Sequence, residues 1–176
     1  MKSLFPPTAL AITLILSACG DGKSDAAKLM AAVTDSTVAA THTVDLAEHH
    51  LPLVVHMPAG LPPPTLLWKD EVGKLEVRAG DHFAMEISEG PVDMGRLKAD
   101  LDRDLLKKNT VMEETPELLI YRAEFPDDTT LVFFHFQRSI AVNGRSFLIE
   151  DLSDGGAFTN EDVHKMATAV VAKSPV

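Results

Sequence analysis

From Val44 onward the chain alternates apolar and polar residues, a period of two that predicts strands. Val44 and Leu46 share one face of a first short strand. Leu51, Leu53 and Val55 share one face of a second, with Val54 on the other, and Pro58 ends it. Gly60 to Pro64 cannot continue a ladder and reads as a loop, partly polyproline-like. Leu75, Val77 and Ala79 alternate, Gly80-Asp81 turns the chain, and Phe83, Met85 and Ile87 alternate again, which predicts a β-hairpin. Leu118 to Phe125 is a further strand, followed by a turn at Pro126-Asp127-Asp128. Thr130 to Val142 is the longest, with Leu131 and Phe133 on one face and Val132, Phe134, Phe136 and Ile140 on the other. Apolar residues on both faces predict a central strand in a sheet covered on both sides. Asn143-Gly144 then predicts a type I′ turn, which sets Ile140 opposite Phe147 and Arg138 opposite Ile149.

Two segments change to a helical period. Asp93 is placed to cap a helix running to about Lys108, with Met94, Leu97, Leu101 and Leu105 as one apolar stripe and Asn109 as its stop. Arg96/Asp100 and Lys98/Asp102 are opposite charges at i,i+4 on its solvated side. After a turn at Asp154-Gly155-Gly156, Thr159 to Asp162 forms a capping box. Val163, Met166, Ala167, Val170 and Val171 make the core face of the helix that follows. Strand hairpins, a helix, further strands and a last helix predict an α+β domain over residues 41–176: a mainly antiparallel sheet with two main helices packed on it.

The N-terminal pattern is different. Lys2 precedes an apolar run from Leu4 to Leu16, 13 residues long. A bilayer span needs about 20 apolar residues, so the run is too short to cross and fits the apolar core of a secretory signal. Leu16-Ser17-Ala18-Cys19 ends it and holds the only cysteine of the chain. These four residues resemble the lipobox of bacterial lipoproteins. The resemblance implies cleavage after residue 18, lipidation of Cys19 and acylation of the new N-terminus. Several acyl chains at one site anchor stably where one alone is marginal. In many Gram-negative lipoproteins an Asp directly after the cysteine retains the protein in the inner membrane. Gly20 stands there, with Asp21 one further on, which favours the outer membrane. Residues 19–40, small and polar and rich in Ala, Thr, Ser and Asp, read as the lipidated cysteine and a flexible linker. Over Val44 to Lys173, the stretch Val44 to Gly60, the charged amphipathic helix, the strand and the Asn143-Gly144 hairpin leading to a last helix also look like small uncharacterised bacterial lipoproteins, and more loosely like the PsbP-like and DcrB-like domains. That resemblance implies an accessory or assembly role rather than a shared catalytic motif.

Composition narrows the function classes. Apolar residues make up 45% of the chain, enough for a packed core. A net charge of −10 repels phosphate backbones, so nucleic acid is not an expected partner. With one cysteine there is no internal disulfide. No nucleophile elbow, dinucleotide fingerprint, Walker loop or H-E-x-x-H occurs, and the chain reads as no enzyme and as needing no cofactor. The stretch Asp151 to Gly156 lacks the ligand spacing of a calcium loop in either frame.

His42, His49, His50 and His56 fall within fifteen residues beside Glu48. His49 and His50 read as turn residues, and no metal site is expected. His50 and His56 are the candidate pair, because an even separation along a strand places two residues on one face. His135 shares a face with Leu131 and Phe133 and reads as a core histidine. Acidic residues from Glu113 to Asp128 read as a solvated edge, and Trp68, after the proline loop, as a cover over the sheet edge. The expectation is a lipid-anchored, periplasm-facing cell-envelope protein. It is a non-enzymatic interaction or accessory module, held to the membrane through Cys19 and serving an envelope protein partner. A small-ligand or metal carrier or sensor is the alternative. Labelled palmitate is expected to enter the chain and to be absent from a Cys19→Ser variant, and equal labelling of both would refute the lipobox.

Overall fold

The computed structural model describes residues 42–152, 154 and 156–174. The expected signal sequence, Cys19 and the expected linker lie outside the described residues, as does part of the Asp154-Gly155-Gly156 turn. The elements are β1 (Thr43–Asp45), a 3-10 turn (Ala47–His49), β2 (Leu53–His56), β3 (Thr65–Lys69), β4 (Lys74–Arg78) and β5 (Ala84–Glu89). Then follow α1 (Met94–Asp102), β6 (Lys108–Thr115), β7 (Leu118–Phe125), β8 (Asp128–Val142), β9 (Arg145–Asp151), α2 (Asn160–Ala169) and β10 (Val170–Ala172). They form a seven-stranded sheet in the order β3-β4-β5-β9-β8-β7-β6 and a three-stranded sheet in the order β1-β2-β10. Every pairing described is antiparallel, and two helices pack on the sheets, in line with the expected plan.

The centre is the β8–β9 hairpin. Asn143 (φ 55°) and Gly144 (φ 76°) adopt the left-handed conformations that a type I′ turn requires. The register matches the expected one, with Ile140 opposite Phe147 and Arg138 opposite Ile149. The expected β4–β5 hairpin is present, and its strands pair Leu75 with Ile87 and Val77 with Met85.

One face of the large sheet is sealed. Leu75, Ile87, Ile149, Phe147 and Phe136 are fully buried there, joined by Val163 and Met166 of α2 and by Leu53 and Val55 of β2. The capping box is present: the Thr159 hydroxyl accepts from the Asp162 N–H, and the Asp162 carboxylate accepts from the Thr159 N–H. Arg138 lies in the same row as Ile149 and Leu118 and sends its guanidinium to the far end of α2. It donates to the carbonyls of Ala167 and, at 2.9 Å, of Val170. A fixed cation thus satisfies carbonyls left open at the helix C-terminus.

Four details differ from the expectation. The first helix stops at Asp102 instead of Lys108. Asp104 is the cause: its carboxylate accepts from the N–H groups of Leu106 (2.8 Å) and Lys107 (3.2 Å), drawing backbone donors away from a helical ladder. Leu105 therefore leaves the apolar stripe and stands 94% exposed. Residues Lys108–Thr115 form strand β6, so Asn109 is a strand residue and not the helix stop, although its side-chain N–H donates back to the Leu101 carbonyl at 3.0 Å. Leu66 to Trp68, which follow the proline loop in sequence, belong to edge strand β3 rather than to a loop. Val170 and Val171 are not helical: as β-branched residues they pass directly into β10 and pair with Val55 and Val54. Strand β8 is sealed on one face only, since Leu131 on the other is 46% exposed.

Arg138→Ala should cost about 2–4 kcal/mol of folding free energy, from two lost charge-assisted hydrogen bonds and the uncapped helix end. Denaturant titration with an unchanged slope would check it, and a loss within error of zero would show the contact to be incidental.

Candidate functional site

The second face of the large sheet is open and divided. A single lateral row crosses all seven strands: Leu67, Glu76, Glu86, Glu150, Gln137, Leu119 and Glu114. Three glutamates are therefore direct neighbours on β4, β5 and β9. Like charges directly opposite destabilise a sheet unless cations intervene. Lys69 and Arg78 both pair with Glu76, the latter at 3.2 Å. Lys74 bridges Glu86 and Glu150, at 3.5 Å from the latter.

On β7 and β8 the same face turns aromatic. His135 lies between Tyr121 (centroids 5.2 Å apart) and Phe133 (6.5 Å), and Phe133 meets Phe125 edge to face. Where the charged and aromatic halves meet, α1 and the chain after it cross the sheet and leave a cavity of about 310 Å³. Its floor is Glu86, Glu150, Tyr121, Ala123 and His135, from four strands. Its roof is Leu101, Asp104 and Lys107, with Asn109, Phe136, Asp151 and Leu152 at the sides.

Each polar group has a definable state. Asp151 is nearly buried and accepts twice: from the Phe136 N–H at 2.8 Å and from His135 Nδ1 at 2.7 Å. A carboxylate only accepts, so His135 donates through Nδ1. Burial pushes the Tyr121 phenol well above its ordinary pKa, and the charges of Asp151, Glu150 and Asp104 push the same way, so it stays a neutral hydroxyl. Burial also raises the Glu150 carboxyl, helped by its hydrogen bond with Glu86 and by the Glu86 charge, while Lys74 and Gln137 oppose. For Lys74, burial works against the ammonium, but the hydrogen bond and charge of Glu86 and the charge of Glu150 outweigh it and its pKa is raised. Hydrogen bonds from the Leu106 backbone keep Asp104 below the usual carboxylate range. Next to Glu150, the side-chain carbonyl of Gln137 is buried with no hydrogen-bond partner among the described residues.

The residues singled out from sequence fall elsewhere, His135 apart. His50 sits before β2 in a left-handed conformation (φ 60°), its carbonyl accepting from Arg145 at 2.9 Å. His56 ends β2, beside the Thr43 hydroxyl at 3.4 Å. His49 stacks on Trp68 at the sheet edge, ring centroids 6.3 Å apart. Among the described residues no group of three or more His, Cys, Asp and Glu side chains is placed to hold a metal ion. No helix of the described residues is long and apolar enough to cross a membrane. Cys19 lies outside the described residues.

Sequence reasoning placed His135 in a core and missed Glu86, Glu150, Tyr121 and Asp151 as a group. The signal was available for one pair only. Asn143-Gly144 fixes Gln137 against Glu150, but the approach of Glu86 depends on β5 pairing with β9, far away in sequence. Comparison with known proteins adds nothing to the geometry: no family model matches the chain, and no curated protein or solved structure is significantly similar to it.

The Glu150 shift has a definite sign. A carboxyl with a folded pKa above its unfolded value adds stability that is complete below the ordinary carboxylate range. That stability is lost as pH rises through the raised folded value. Glu150→Gln should therefore melt higher than the parent at pH 8 and nearly with it at pH 4. A lower melting temperature at pH 8 would refute the assignment.

Proposed function

We propose that the chain is a lipid-anchored cell-envelope protein, facing the periplasm, that works by binding rather than catalysis. Its ligand is a small molecule carrying a positive charge. The lipobox supports the anchoring and Gly20 the outer membrane. The observation that carries the binding reading is the cavity on the open sheet face, where polar groups converge from four strands and a crossing loop. Glu86, Glu150 and Asp104 outnumber the one lining cation, Lys107. The faces of Tyr121 and His135 add the aromatic surface that attracts a cation. The Tyr121 hydroxyl and His135 Nε2 supply directional contacts, and Leu101, Ala123 and Leu152 take an apolar portion. No serine, threonine or cysteine lies among these lining groups.

A second reading, a protein partner, is favoured by a different feature. Edge strand β3 carries Leu67 and Trp68, half and more than a third exposed, with exposed Val72 in the turn beyond. An unpaired edge with apolar side chains is a template for another strand. As an accessory subunit the protein would present this edge to an envelope complex.

Calorimetry on the mature lipidated protein in detergent separates the two. A primary amine, a guanidinium and a quaternary ammonium compound serve as probes, with a carboxylate as control. Binding of at least one cation is expected, about tenfold weaker in Glu150→Gln through loss of one charge-assisted contact. The variant is expected to fold at least as well as the parent at neutral pH, so weaker binding would not reflect unfolding. No heat with any of the three cations overturns the ligand reading.

A further inference from the structure

The loop that roofs the cavity ends in two leucines with no place in the fold. Leu105 is 94% exposed and Leu106 76%, more than any other large apolar residue described. The tip is held out by its surroundings. Asp104 accepts from the two N–H groups beyond it, and Asn109 donates to the Leu101 carbonyl and lies 3.4 Å from Asp104. The segment reads Arg103-Asp104-Leu105-Leu106-Lys107-Lys108, an apolar tip ringed by three cations in a chain of net charge −10. Asp104, the acid within the ring, is turned inward onto the backbone, while Arg103 lies 3.5 Å from Asp100. Lys107 reaches over the Phe125 ring.

These properties discriminate between occupants. A stable protein interface buries about 800 Å² on each partner, far more than two side chains offer. A bilayer surface needs no matching shape. It takes up apolar side chains beneath the headgroups, while flanking Lys and Arg reach back to the phosphates on flexible apolar stems. We propose that the Leu105-Leu106 tip inserts into the lipid surface of the membrane that carries the Cys19 anchor, with anionic headgroups meeting Arg103, Lys107 and Lys108. The inference rests on the anchoring reading and is independent of the ligand. Twenty-three residue steps separate Cys19 from His42, a reach of at most about 80 Å, which lets the domain settle on this loop. Because Asp104 and Lys107 also roof the cavity, insertion sets the cavity at the headgroup level.

Lipidation of Cys19 leaves the chain without a free thiol, so an introduced cysteine can be labelled alone. Leu105→Cys and Val72→Cys, each carrying an environment-sensitive fluorophore, are to be reconstituted as mature lipidated protein. The vesicles are phosphatidylethanolamine with phosphatidylglycerol. The label at 105 should shift to the blue and be quenched severalfold more strongly by a lipid-borne quencher than the label at 72. Adding Leu106→Glu should weaken that quenching. A 105 label as open to aqueous quencher as the 72 label overturns the proposal, and is also the outcome if the tip's true partner is a protein. Flotation with the vesicles reads the anchoring separately. A chain that floats with a water-exposed tip refutes the insertion alone, and a chain that does not float refutes both.

Discussion

The turn at Asn143-Gly144 holds two successive residues at positive φ, and that local requirement sets the register of β8 against β9. A strand has a side-chain period of two, so a slip by one residue would exchange its faces. In the observed register Arg138 points beneath α2 and Gln137 stands against Glu150 on the other side. The sealed core and the cavity therefore depend on the same parity. β8 transmits it to β7, and β9 transmits it to β5 and β4, until the row of glutamates is complete.

That dependence explains what was legible beforehand. The register at Asn143-Gly144 and the existence of the hairpin around Gly80-Asp81 follow from local turn chemistry and short-range alternation, and both are found as read. Element ends were less legible. The stripe from Met94 to Leu105 obeys helical spacing, yet one aspartate side chain takes over the backbone donors and stops the helix at Asp102. Val170 and Val171 satisfy a helical face on paper, but β2 offers them ladder partners that no local pattern reveals. The cavity was the least legible feature. Its floor joins β5, β7, β8 and β9, and each residue taken alone reads as a solvated glutamate, a lone tyrosine or a core histidine.

The two faces of the large sheet solve opposite problems. The sealed face gains from excluding water, and its Arg138 cation caps a helix end. The open face keeps its charges paired, with Lys69, Lys74 and Arg78 interleaved among buried Glu76 and the partly buried Glu86 and Glu150. Such pairing limits like-charge repulsion, but burial and the neighbouring Glu86 still push the Glu150 carboxyl up. A group in that condition favours any additional positive charge brought near it.

The small sheet has a mechanical meaning. Tension applied from the N-terminal side enters the described domain at β1, a strand with only three ladder pairs, all to β2. β2 passes it to β10, which continues without a loop from α2, and α2 is clamped beneath by Arg138. Lys173 links back to Asp45 across the same sheet. A pull would first peel β1 and leave β2, β10 and the core intact. β1 is thus the element that a load from the N-terminal side meets first, and its loss would leave the β2–β10 pairing in place.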